Sequence, residues 1–95
     1  MTNTGRKDDH EKLRYDLVPW EALEPVVKVL MHGAGKYGDD NWRLVPDHER
    51  RYFAAAMRHL VAHAKCQPTD PETGQSHLAH AVCCLLFMIA RERGH

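Results

Sequence analysis

The sequence predicts an all-α fold: a small three-helix bundle with a long functional loop between helices one and two, assembled as an oligomer. Three observations carry this reading. Apolar residues recur at helical spacing in three separate stretches, no stretch alternates with the period of a strand, and the last stretch is apolar nearly all round.

The elements follow in chain order. Residues 1–12 hold almost nothing apolar and cannot offset their own ordering entropy, so they are expected to form a mobile arm, leaving 13–95 as a single domain. After Pro19, Leu23, Val26, Val27, Leu30 and Met31 mark one face of a first helix, and Gly33 is its expected C-terminal stop. Pro25 interrupts the hydrogen bonding of that helix and is expected to kink it or delay its start. The stretch from Gly33 to about Asp47 is rich in Gly, Asp, Asn and Pro and lacks either period, which predicts a loop. Asp47 is the expected N-cap of a second helix running to about Lys65, with Phe53, Met57, Leu60, Val61 and Ala64 as its apolar stripe. A second polar loop follows, and Ser76 is placed to cap a third helix from His77 to about Arg93. Two short helices cannot cover the apolar perimeter of that third helix (Leu78 to Ala90), which is why a partner subunit is expected.

Composition narrows the function. Ninety-five residues make one small domain, of the size that often recruits a metal or a partner subunit for stability. Thirteen basic residues balance thirteen acidic ones, so no cationic excess exists to bind a nucleic acid duplex by releasing counterions. No apolar run approaches the roughly 20 residues of a membrane span, and no hydrophobic signal segment opens the chain. Three cysteines do not form a disulfide framework, which agrees with a reducing, cytoplasmic location. Eight histidines are the unusual feature.

Those histidines fall at spacings that converge. On the second helix His59 and His63 share a face with Tyr52, away from the apolar stripe, while Arg51 and Arg58 line a third side. On the third helix His77 and His80 sit one turn apart, in a stripe with Ala81 and Cys84. Such pairs can bind a metal or phosphate jointly, and Asp70-Pro-Glu72 between the helices offers hard carboxylate oxygens suited to Mg²⁺ or Mn²⁺. Each group also has a structural reading: a histidine hydrogen-bonded at a helix contact, Cys66 and Cys84 as small core hydrophobes, the arginines as a solvated face, Glu21 and Glu24 as an acidic first turn. Gly33-Ala-Gly35-Lys-Tyr-Gly38 fits the dinucleotide glycine fingerprint formally but follows a helix where that motif requires a strand, and no P-loop, HExxH or paired CxxC is present.

Four blocks carry a resemblance. Lys12-Leu-Arg14-Tyr15-Asp16-Leu17-Val-Pro19-Trp-Glu21-Ala-Leu23, Gly33-Ala-Gly-Lys36-Tyr37-Gly38-Asp-Asp-Asn41-Trp42, Arg51-Tyr52-Phe-Ala-Ala55 with Arg58-His59-Leu, and Asp70-Pro-Glu72-Thr-Gly74-Gln-Ser-His77-Leu-Ala-His80-Ala together resemble the dATP/dGTP diphosphohydrolases, small phage and prophage proteins. The likeness implies metal-dependent hydrolysis of a purine deoxynucleoside triphosphate to monophosphate and pyrophosphate, in the cytoplasm of an infected or lysogenic bacterial host. It also implies kinship with MazG-like all-α pyrophosphohydrolases, which act as oligomers and hold Mg²⁺ with an ExxE and a later ExxD. Here Glu21-Ala-Leu-Glu24 is an ExxE, no ExxD follows, and Cys66-Gln67 stands where related sequences usually read Gly-Glu.

On the enzyme reading, Asp70, Glu72, His77 and His80 are the expected metal ligands, with Asp70, His77 and His80 also the general-base candidates. His59 is a further ligand or proton carrier. Lys36, Arg51 and Arg58 are assigned to the phosphates, Trp42 or Tyr37 to stacking on a purine, and Asn41 to its edge. The alternative is a non-catalytic oligomer that sequesters a nucleotide or nucleotide-derived signal with the same residues.

Overall fold

A computed structural model describes residues 4–95, so the first three residues of the expected arm lie outside the described residues. Three α-helices follow in order: α1 (Trp20–Tyr37), α2 (His48–Ala64) and α3 (His77–Glu92), with short 3-10 turns at Tyr15–Leu17 and Asn41–Leu44. Among the described residues there is no β-strand; an isolated bridge between Thr69 and Ser76 closes the loop ahead of α3. No helix there is long and apolar enough to cross a membrane.

Helix boundaries depart from expectation in an informative way. α1 does not stop at Gly33; it runs through Gly33 and Gly35 and ends where Gly38 turns to φ 101° and donates its N–H to the Ala34 carbonyl at 2.8 Å. A glycine inside a helix costs only about 1 kcal/mol, and the added turn brings Lys36 to Glu72. The loop between α1 and α2 therefore begins at Gly38, is shorter than expected, and contains a turn of 3-10 helix. Pro25 sits inside α1 without ending it. Asp47 precedes α2 as expected but is not its side-chain cap: it adopts the left-handed conformation, and its carboxylate pairs with Arg50 instead. Ser76 does cap α3, its hydroxyl accepting the Leu78 N–H at 3.0 Å.

α3 is central. One side packs on α1, where Val26 meets Ala79 and Cys83 with Leu23, Leu30 and Phe87 around them, and the Cys83 thiol donates to the Val26 carbonyl at 3.4 Å. The small residues Ala79, Ala81, Cys83 and Cys84 let the neighbours approach closely. α2 meets α3 through its histidine side: His48 and Ala56 are buried, Tyr52 and His59 half-buried, and Tyr52 packs edge-on against Phe87 at 5.1 Å. Tyr52 and His59 tolerate this contact because they find ring partners on α3, Phe87 for the first and His77 and His80 for the second.

The apolar stripe of α2 is the side left out. Phe53, Met57, Leu60 and Val61 are 41–55% exposed, and Leu85, Leu86 and Ile89 of α3 are exposed as well. The radius of gyration is 17.6 Å, against about 12 Å for a compact domain of this length.

Candidate functional site

Three elements bring their polar groups to one place. From α2, His59 reaches across to α3, where its Nδ1 lies 2.8 Å from His77 Nδ1 and its ring stacks on His80 at 4.5 Å and 16°. From the loop between them, Asp70 completes the group: one ligand atom from each of His59, Asp70 and His77 lies within 4.8 Å of the others. The DPETG sequence explains why Asp70 is so well placed. Its Oδ2 accepts the backbone N–H groups of Glu72 and Thr73 at 3.0 and 3.1 Å, and Gly74, at φ 73°, supplies the left-handed residue the turn needs. The Thr73 hydroxyl is hydrogen-bonded to His80 Nε2 at 2.7 Å, and that nitrogen is 3.8 Å from Asp70 Oδ2.

Burial governs the charge of this cluster. It lowers the pKa of His59, reinforced by the neighbouring His80 and His77, and it lowers that of His80 against the pull of Asp70. For Asp70 burial acts upward, but the Thr73 N–H, His80 and the Glu72 N–H together outweigh it, and the carboxyl titrates below its ordinary value. Near neutral pH the cluster thus contains neutral His59 and His80 beside a carboxylate.

Next to it lies a cleft of about 460 Å³ between α1 and α3. Leu30, Gly33, Tyr37, Asn41, Trp42, Tyr52 and Phe87 line it, and His80 joins it to the histidine cluster. A largely apolar, aromatic cleft with a few polar groups at one end is the usual form of a small-molecule site.

Of the residues singled out from sequence, His59, Asp70, His77 and His80 come together, and Tyr37, Asn41 and Trp42 share the cleft. Others are placed differently. Glu72 lies on α1 groups, 2.8 Å from Lys36 Nζ and 3.3 Å from His32 Nε2, and is absent from the His59–Asp70–His77 group. Lys36 is accordingly ion-paired. Trp42 stacks on Phe87 at 4.7 Å and 13°, with the Arg43 guanidinium 4.2 Å from its ring centroid. Arg51 and Arg58 are exposed. Four contributors were not foreseen: His32, Thr73, His48 and Phe87. His32 is four residues before Lys36 on one helix face, and Thr73 is three after Asp70, so both spacings were readable; the roles of His48 and Phe87 depend on tertiary packing alone.

Comparison with known proteins adds independent findings. The profile of a family described as "dATP/dGTP diphosphohydrolase, N-terminal" matches residues 2–94. The chain is 36% identical over 85 residues to a protein of Salmonella phage PMBT28 named dATP/dGTP diphosphohydrolase, an alignment covering 90% of this chain and 29% of that relative. The chain therefore spans less than a third of the relative's length. No solved structure matches.

Proposed function

The chain belongs to the dATP/dGTP diphosphohydrolase family, and from that premise we propose that it binds a purine deoxynucleoside triphosphate and hydrolyses it to the monophosphate and pyrophosphate. The observation that supports this reading most is the continuity of two unlike surfaces: the aromatic cleft ends at His80, and His80 stacks on His59 of the polar cluster. A base would occupy the first, and a metal ion held at the second would face the triphosphate.

In the reaction, water oxygen bonds to the α-phosphorus, the bond to the bridging oxygen of the β-phosphate breaks, and pyrophosphate departs. Residues His59, Asp70 and His77 have the donor set to hold a divalent ion, which would supply positive charge against the triphosphate; Mg²⁺ or Mn²⁺ is the ion that the family reading, rather than the donor set, suggests. His80 is suited to accept the proton of the attacking water: burial keeps it neutral, and Thr73 fixes its Nε2, leaving the other ring nitrogen for the proton. Arg58, Arg51 and a Lys36 released from Glu72 would neutralise phosphate oxygens, and Asn41 and Tyr37 would contact the base. A second copy of the chain would cover Phe53, Met57, Leu60 and Val61, and the host would be a phage-infected or lysogenic bacterial cell.

One observation favours binding without turnover as the second reading. Asp70 is the sole carboxylate of the His59–Asp70–His77 group, fewer acidic groups than an ExxE–ExxD pair provides. Incubation of the purified chain with each dNTP and Mg²⁺ or Mn²⁺, followed by chromatography and mass spectrometry, decides. Monophosphate and pyrophosphate from dATP or dGTP support hydrolysis; retained, intact nucleotide supports the binder; neither outcome rejects both. For the partner, light scattering of wild type and Leu60→Asp should give a multimer and a monomer, and a wild-type monomer at micromolar concentration overturns the assembly.

A further inference from the structure

We infer that the His59–Asp70–His77 cluster selects a borderline transition ion of the Zn²⁺, Co²⁺ or Fe²⁺ class over Mg²⁺, and that this ion fastens α2, the 65–76 loop and α3 together. The inference rests on the proposal above that these residues hold the divalent ion, and it goes further in naming the class of metal and a structural consequence.

The donor atoms set the class. Two of the three are imidazole nitrogens, and the third is a single carboxylate. Mg²⁺ favours oxygen ligands and retains several waters, whereas imidazole suits Zn²⁺, Fe²⁺ and their neighbours. The second nearby carboxylate, which would have moved the balance toward oxygen, is held by Lys36 and His32. Burial acts the same way, because His77 is only 7% exposed and leaves little space for a hydrated ion on its side.

The geometry is close to what such an ion requires. Ligands about 2.0–2.1 Å from a tetrahedral centre stand roughly 3.3 Å from one another. The two Nδ1 atoms are 2.8 Å apart, and all three ligand atoms fall within 4.8 Å, so a small opening of the two imidazoles and a rotation of the Asp70 side chain by up to an ångström or so would bring the three to that spacing. Asp70 is already oriented: Oδ2 accepts two backbone N–H groups, and Oδ1 has no hydrogen bond among the described residues. Partners of this kind orient a ligand and strengthen metal binding. A three-residue set also leaves a coordination position open, as at catalytic rather than structural zinc sites.

The consequence for folding follows from chain placement. His59 lies in α2, Asp70 in the loop and His77 in the first turn of α3, so an ion bound to all three closes two loops of backbone and its binding free energy adds to stability.

The test uses untagged protein stripped by a chelator, without nucleotide. Cobalt titration followed by visible absorption should give a one-to-one ligand-field band, and Zn²⁺ or Co²⁺ at micromolar concentration should raise Tm where the same concentration of Mg²⁺ does not. Asp70→Asn and His77→Ala should each weaken cobalt binding by more than about tenfold, with helical circular dichroism checking the fold. His63→Ala, an exposed histidine of the same helix, should bind as wild type. No cobalt band, an equal Tm response to Mg²⁺, or a band unchanged in both Asp70→Asn and His77→Ala overturns the inference. Hydrolysis with Mg²⁺ alongside an absent cobalt band would overturn only this inference; a cobalt band with no hydrolysis of any dNTP under Mg²⁺, Mn²⁺, Zn²⁺ or Co²⁺ would leave it standing and remove the hydrolase reading.

Discussion

Lys36 Nζ lies 2.8 Å from Glu72 Oε1, which joins the last turn of α1 to the loop that carries Asp70. The pair is half-exposed, and each partner shifts the other in the expected sense: Glu72 raises the pKa of Lys36, and Lys36, aided by His32, lowers that of Glu72. A cation held this way is available to a triphosphate only if it leaves the carboxylate. Glu72→Gln should therefore tighten triphosphate binding severalfold while leaving Tm nearly unchanged, because solvent-exposed pairs contribute little to stability. Lys36→Ala should weaken binding in the same titration. Unchanged affinity in both variants would remove Lys36 from the phosphate site.

Cys66 adopts φ 63° just after the end of α2. Its N–H donates to the His63 carbonyl and the N–H of Gln67 to that of Ala62, both at 3.0 Å, the paired hydrogen bonds of a Schellman C-cap. The left-handed residue in that motif is usually glycine, which has no Cβ to meet the following carbonyl. Cys66→Gly should raise stability by about 1 kcal/mol, since a side chain in this conformation costs roughly 1–2 kcal/mol. Urea denaturation of both proteins measures it, and equal midpoints would show the strain to be relieved elsewhere.

How much was legible in the sequence depends on the range of the interaction. The three helices and the Ser76 cap were readable because 3.6-residue periodicity and capping are local. The end of α1 was misread because Gly33 and Gly38 are equal as stop signals until Lys36 is seen to reach Glu72, 36 residues away. The histidine cluster was half-legible: spacing placed His77 and His80 together, whereas the meeting of His59 with His77 depends on which side of α2 faces α3. Amphipathicity alone points that choice at Phe53 and Leu60, the side the structure leaves exposed.

His48 is buried at 6% exposure between Tyr52 and Trp42, and neither ring nitrogen has a hydrogen-bond partner among the described residues. Burial first, then the nearby Arg91, pushes its pKa below 6.5. The unfolded chain consequently binds this proton at higher pH than the folded one. The contribution of neutral His48 is fully present above pH about 6.5 and is lost as pH falls through that value toward the lower folded pKa. His59 and His80 act in the same direction. Urea denaturation at pH 8 and pH 5.5 should show an acid loss that is smaller in His48→Leu. At pH 8 that variant should be at least as stable as wild type, because it removes an unsatisfied buried polar group that costs about 1–3 kcal/mol. An undiminished acid loss would mean that His48 is hydrated or paired in solution.

The stacking of Trp42 on Phe87 restricts how a purine can use it. One ring face meets Phe87 and the Arg43 guanidinium lies over the ring, itself anchored by donating to the His95 carbonyl at 3.1 Å. A base that stacks on Trp42 must displace Arg43, whereas a base that meets only the ring edge leaves both contacts intact. The two modes differ in fluorescence and in affinity. Trp20 is the other tryptophan of the chain, so Trp20→Phe isolates the signal. If the base stacks, saturating dATP or dGTP should change the emission strongly, and Trp42→Ala should weaken binding by about 1–3 kcal/mol, the usual contribution of a stacked base. Arg43→Ala should then bind at least as tightly as wild type, having no cation to displace. If emission stays constant at nucleotide concentrations shown by another assay to saturate the protein, Trp42 is an anchor holding the loop to α3, and Tyr37 on the opposite helix becomes the side chain to which the base must be assigned.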